Sequence, residues 1–373
     1  MASIPQTIER LSALRLQLGA ASAVRSNGRL AELTDFGSNP GALRAKVFVP
    51  DELAPGSALV VVLHGCTQNA ASYDHGSGWS RLAEEQGFAI LLPEQQRTNN
   101  ANLCFNWFGR GDAGRERGEA LSIVQMVTRV VRQHGINPAR IFVTGLSAGG
   151  AMAAVMLAAY PELFAGGAVI AGLPFGTAWS VQEALLRMRG HGLPRAAELT
   201  QLVRGASSHD GSWPTLSVWH GDADSTVSPA NAEALLDQWR ALHALETYPP
   251  ETQTEANYQR RVWRDRAGRD VIEAYLVRGM GHGTPLQTMG EEGCGAIGPH
   301  MLEVGLSSTR LIAAHWGLVQ TSVRATNGRV TPSAARTEDQ PAKERLPFNM
   351  PAQLPAGIER TIKNALRTAG LLR

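Results

Sequence analysis

Residues 140–161 read RIFVTGLSAGGAMAAVMLAAYP, and their order decides the fold. RIFVT is a short apolar, β-branched run, the composition of a buried strand. AGGAMAAVMLAA is rich in small and unbranched residues, which suits a tightly packed helix. Between them, Gly145-Leu146-Ser147-Ala148-Gly149 fits G-x-S-x-G, in which a serine stands on a sharp strand-to-helix turn. Such a turn strains the serine backbone and leaves room only for tiny neighbours, here Gly145, Gly149 and Gly150. It lifts the Ser147 hydroxyl clear of the sheet and points the Ala148 N–H at a developing oxyanion. A glycine-rich turn that merely packs helix on strand is the bland alternative. The strand before and the Ala-rich helix after favour a nucleophile.

Outward from this elbow the chain alternates strand and helix patterns. ALRAKVFVP (42–50), ALVVVLHG (58–65) and FAILLPE (88–94) read as strands. WSRLAEEQG (79–87) reads as a helix closed by Gly87, and GEALSIVQMVTRVVRQHG (118–135) has helical spacing. Residues 95–116 are loop-like. AGGAVIAG (165–172) and TLSVWHG (215–221) are further strands, and SPANAEALLDQWRALH (228–243) is a helix with Ser228 as N-cap and Pro229 at its first position. Residues 260–277 read as two strands joined at Ala267-Gly268, and 301–318 as one final helix. Short apolar runs between helices mark parallel strands covered on both faces, so the spacing predicts a mostly parallel, doubly wound α/β sheet. Residues 173–212 break the rhythm and are expected to form a helical insertion, a lid over one sheet edge. The expected organisation is an amphipathic helix and loop at 1–41, a catalytic α/β domain at 42–318, a linker at 319–354 and a C-terminal helix at 355–373.

Composition narrows the function classes. The 373 residues include 35 Lys+Arg and 33 Asp+Glu, a net charge of +2, which argues against a dedicated nucleic-acid binder. No apolar run is long enough to span a membrane. No HExxH, EF-hand loop, Walker lysine or GxGxxG after the first strand occurs, so no metal or nucleotide cofactor is expected. Three cysteines, Cys66, Cys104 and Cys294, are too few for a disulfide scaffold. A Cys66–Cys104 bridge and small buried thiols both fit. The N-terminus lacks an unbroken apolar core, so the default address is cytoplasmic. The terminal helices offer a route to homo-oligomerisation.

A nucleophilic serine needs a base and an orienting acid, in the chain order serine, acid, histidine on this fold. HGDADSTVSP places Asp222 and Asp224 just after the strand at 215–221, at the carboxyl end where open α/β sheets keep their sites. Asp224 is the expected acid and Asp222 a turn residue making local backbone bonds. His282, in the glycine-rich GMGHG after a strand, is the expected base. His64 and His220 end strands and read as supporting residues. His300 and His315 read as lying at or on a helix, and His75 as a minor candidate in a polar loop. The second oxyanion donor is expected in His64-Gly65-Cys66-Thr67-Gln68, with Cys66 N–H as the donor and Gln68 as a substrate-binding candidate.

These segments, with NLCFNWF (102–108), GMGHGTPL (279–286) and GCGAIGPHMLEVGLSSTRLIAAHWGL (293–318), resemble the polyhydroxybutyrate-depolymerase-like esterases. These are α/β-hydrolases that include feruloyl and acetylxylan esterases. The resemblance covers about residues 42–318 and implies Ser147 as nucleophile, Asp224 as acid, His282 as base, and Cys66 and Ala148 as oxyanion donors. It also implies a Cys66–Cys104 disulfide in oxidising conditions. Trp107 would then line the ester pocket, a core role being the alternative. The implied activity is hydrolysis of short-chain esters or hydroxyalkanoate oligomers. Feruloyl or acetylxylan esters, or peptides and amides, are the alternative substrates. Many relatives are secreted with a signal peptide, which sets a second expectation for location beside the cytoplasmic default.

Overall fold

A computed structural model describes residues 29–245 and 248–319. The helix expected near the N-terminus, the linker and the C-terminal helix therefore lie largely outside the described residues. The strands are β1 (Ala31–Glu32), β2 (Arg44–Phe48), β3 (Leu59–Leu63), β4 (Ala89–Glu94), β5 (Ile141–Leu146), β6 (Gly166–Ile170), β7 (Thr215–Gly221), β8 (Glu251–Thr254), β9 (Tyr258–Arg264), β10 (Asp270–Val277), β11 (Thr284–Leu286) and β12 (Met301–Glu303). The helices are α1 (Ala70–Ser77), α2 (Trp79–Gln86), α3 (Gly118–His134), α4 (Ala148–Ala159), α5 (Val181–Met188), α6 (Ala196–Arg204), α7 (Ala230–Arg240) and α8 (Ser308–His315).

Ten strands form one sheet in the order β1-β2-β4-β3-β5-β6-β7-β10-β9-β8. The run from β4 to β10 is parallel throughout, and the strands outside it pair antiparallel. Alternate residues of β3 serve opposite faces: Leu59, Val61 and Leu63 enter one buried cluster with α3, α4 and α7, and Val60 and Val62 enter another with α2 and α8. A strand apolar at every position is thus explained by two covered faces. This is the architecture of an α/β-hydrolase.

Four local readings change. The helix expected to be capped by Ser228 starts at Ala230, with Pro229 rather than Ser228 at its N-cap. Asn69 and Ser72 form a capping box that starts α1, a helix not anticipated at 70–77, and it carries His75 out of any loop. The predicted helix at 301–318 is a short strand, β12, followed by α8. Met301 to Glu303 pair with β11, and Ser307 Oγ caps the helix by accepting the Arg310 N–H. His300 accordingly sits in the turn before β12, not at a helix. The insertion at 173–212 holds α5 and α6, with α6 against α7. Among the described residues no helix is long and apolar enough to cross a membrane.

Candidate active site

β5 lies at the middle of the parallel strands and delivers Ser147 at its carboxyl end. Ser147 holds φ 57° and ψ −117°, a strained backbone for a residue with a Cβ. Close approach explains the glycines beside it. A Cβ on Gly145 would run into the Gly149 carbonyl, and one on Gly149 into the carbonyls of Leu63 and His64. The elbow is pinned by Ser147 N–H donating to the Ile170 carbonyl at 2.9 Å.

Two loops meet the serine. The loop after β10 presents His282, whose Nε2 lies 2.9 Å from Ser147 Oγ. Its Nδ1 lies 2.7 Å from Oδ2 of Asp224, in the loop after β7. A carboxylate only accepts, so Nδ1 carries the proton and Nε2 faces the hydroxyl as an acceptor. Oδ1 of Asp224 accepts from the N–H groups of Thr226 and Val227 at 2.8 and 2.9 Å. Burial pushes this carboxyl up, but hydrogen bonds from His220, His282 and the Val227 N–H together hold it well below the usual carboxylate range. Asp224 therefore stays ionised and can stabilise an imidazolium.

Asp222 does more than make a local turn. Its Oδ1 accepts the Gly279 N–H at 2.7 Å, its own N–H donates to Val277 O at 3.0 Å, and Ala223 N–H donates to Met280 O at 3.1 Å. These bonds fasten the loop carrying Asp224 to the loop carrying His282.

The turn after β3 is tied down residue by residue. Gly65 N–H donates to Gln68 Oε1 at 2.9 Å, Thr67 N–H to Asn102 O at 2.7 Å and Gln68 N–H to Gly65 O at 3.3 Å. Among the described residues the Cys66 N–H has no such partner, nor has that of Ala148 at the first position of α4. Cys66 is disulfide-bonded to Cys104, which joins this turn to the loop at 95–116. Gln68 spends its side-chain oxygen on Gly65 and so shapes the turn. His64 is buried with Nδ1–H on Gly65 O at 2.8 Å and Nε2 accepting the Gln95 N–H at 3.1 Å. Burial lowers its pKa to about 4 against the opposing pull of the Gly65 bond, so it is neutral.

Trp107 is only 6% exposed and stands edge-on to Phe108 in the same buried cluster as Ala148 and Phe175. Two further features escaped sequence reasoning. His300 lies beside His282, its ring centroid 5.6 Å away. Glu119, wholly buried at the start of α3, accepts from Gln95 Nε2, Asn106 Nδ2 and Asn106 N–H at 2.6, 2.6 and 2.8 Å. Nothing local marked either residue.

Residues 46–254 match the family model described as Esterase PHB depolymerase, a span that includes Ser147 and Asp224 and ends before His282. The chain is 41% identical over 292 residues to a poly(3-hydroxyalkanoate) depolymerase C of Paucimonas lemoignei, covering 78% of this chain and 70% of the relative. It is 30% identical to acetylxylan esterase A of Aspergillus oryzae, covering 73% and 89%. Among solved structures, an acetyl xylan esterase from Aspergillus awamori superimposes with a TM-score of 0.67 at 25% identity, covering 78% of this chain and 99% of that one.

Proposed function

Because the chain belongs to the PHB depolymerase esterase family and is a carboxylic ester hydrolase, we propose that Ser147, His282 and Asp224 form its catalytic triad, acting on short-chain esters and hydroxyalkanoate oligoesters. One observation carries this reading: a single imidazole joins the elbow serine at 2.9 Å to a buried carboxylate at 2.7 Å.

In the proposed reaction His282 Nε2 takes the Ser147 proton as Oγ attacks the ester carbonyl. Asp224 fixes the tautomer and stabilises the imidazolium. The Cys66 and Ala148 N–H groups hold the oxyanion of the tetrahedral intermediate, each lowering the barrier by roughly 3 kcal/mol. His282 then gives its proton to the departing alkoxide, leaving an acyl-Ser147. Water, deprotonated by the same imidazole, attacks the acyl group, and collapse breaks the bond to Ser147 Oγ, which takes that proton back from His282 as the acid is released. Trp107 and Gln68 are proposed to border the acyl group, Trp107 by apolar contact and Gln68 by shaping the oxyanion turn.

Hydrolysis of acetyl groups on xylan-type polysaccharide is the second reading, favoured by the acetylxylan esterases among the relatives. A panel of p-nitrophenyl butyrate, hydroxybutyrate oligomers and acetylated xylan separates the two by kcat/KM. Ser147→Ala is expected to abolish turnover of every ester in the panel while the melting temperature changes little. Retained turnover in that variant would overturn the assignment.

A further inference from the structure

His300 is exposed and holds φ 60°, in the left-handed region. Its Nδ1–H donates to the His282 carbonyl at 3.1 Å, and its own carbonyl accepts the Thr284 N–H at 2.8 Å. The preceding carbonyl, of Pro299, faces Gln68 Nε2 at 3.5 Å. One residue of this turn thus touches the turn after β3 and the next touches His282, so residues 299–300 stand between two of the segments that meet Ser147. A carbonyl only accepts, so Nδ1 carries the His300 proton, and among the described residues Nε2 has no partner. The ring stands at 78° to that of His282.

The chemistry says which half of the substrate meets this ring. His282 must return its proton to the leaving oxygen, so that oxygen comes within hydrogen-bond reach of Nε2. The acyl oxygen is held instead at the Cys66 and Ala148 N–H groups. An alcohol longer than methanol therefore extends from His282 along the rim that carries His300. We propose that His300 lines the subsite for the leaving alcohol and sets which alcohols are released fastest, a reading that rests on the ester hydrolase mechanism above.

The two half-reactions test it. Both use His282, but only acylation involves the alcohol. Methyl 3-hydroxybutyrate and the linear 3-hydroxybutyrate dimer yield the same acyl-enzyme from different alcohols. His300→Asn keeps a residue tolerant of positive φ and an amide donor for the His282 carbonyl. Its expected effect is a loss of about tenfold in kcat/KM for the dimer. The methyl ester should change by less than about twofold, and the single-turnover deacylation rate should not change. Equal losses on both esters with slower deacylation would make His300 a support for His282 and overturn the subsite. Unchanged kcat/KM on both esters would overturn it as well. A wild-type enzyme that forms no acyl-enzyme from either ester would remove the hydrolase reading itself.

Discussion

Asp224 shows how one carboxylate is set apart from its neighbour two positions away. Its oxygens are divided, one to two backbone N–H groups and the other to His282. An amide in its place would offer an NH2 to one of these donors and lose the charge that balances an imidazolium. Asp224→Asn should therefore lower kcat by about three to four orders of magnitude with the fold intact, read from steady-state kinetics and circular dichroism. The contrast with Asp222 was legible in HGDADSTV only as an order of preference. The spacing favoured Asp224 as the acid but did not show that Asp222 reaches 57 positions along the chain to Gly279.

At the scale of elements, the site is made by loops at the carboxyl edge of parallel strands, each fastened to the next. β7 and β10 are adjacent in the sheet, so the loops that follow them meet without any long reach. Asp222 is the side-chain fastener between them, and in the proposed mechanism its part is to hold the His282 loop in register. Asp222→Ala should lower kcat by roughly three- to tenfold with KM little changed. Asp222→Asn, which keeps the acceptor for the Gly279 N–H, should restore it. If Asn and Ala behave alike, the hydrogen bond is not what positions the base. The predicted helix over 301–318 failed at this scale for a physical reason. MLEV carries no helix breaker, but Met301 to Glu303 find ladder partners in Thr284 to Leu286, and tertiary pairing overrides local preference.

For the whole molecule, the buried network of His64, Gln95 and Glu119 couples the active-site loops to stability. Burial raises the Glu119 carboxyl from 4.5 to about 7, while its hydrogen bonds from Asn106 and Gln95 oppose the rise and the nearby Asp112 charge adds to it. The folded state therefore holds a proton between those values that the unfolded chain releases, and stability from this group falls as pH rises through the window. His64, lowered from 6.5 to about 4, works with the opposite sign: the unfolded chain takes up the proton, so stability is lost as pH falls from 6.5 toward 4. Where the two windows overlap, the slopes oppose each other. Glu119→Gln removes one of them. The stability of wild type relative to the variant should fall by about 3 kcal/mol from pH 4.5 to pH 7, measured by urea denaturation across that range. A difference that is flat with pH would show that folding leaves the Glu119 carboxyl at its ordinary value of 4.5, and would overturn this account.

The sequence alone determined the alternation of strand and helix, the doubly wound core and the elbow serine. Those features are written in short-range patterns: apolar runs for strands covered on both faces, and glycines where backbones must nearly touch. The family's chemistry was legible from several motifs in fixed order. Only the tertiary structure decided that Asp222 clasps the base loop, that His300 stands beside His282, and that Glu119 is buried among neutral donors. Each depends on contacts between segments far apart in the chain, and the geometry of such contacts is set by sheet order and loop packing.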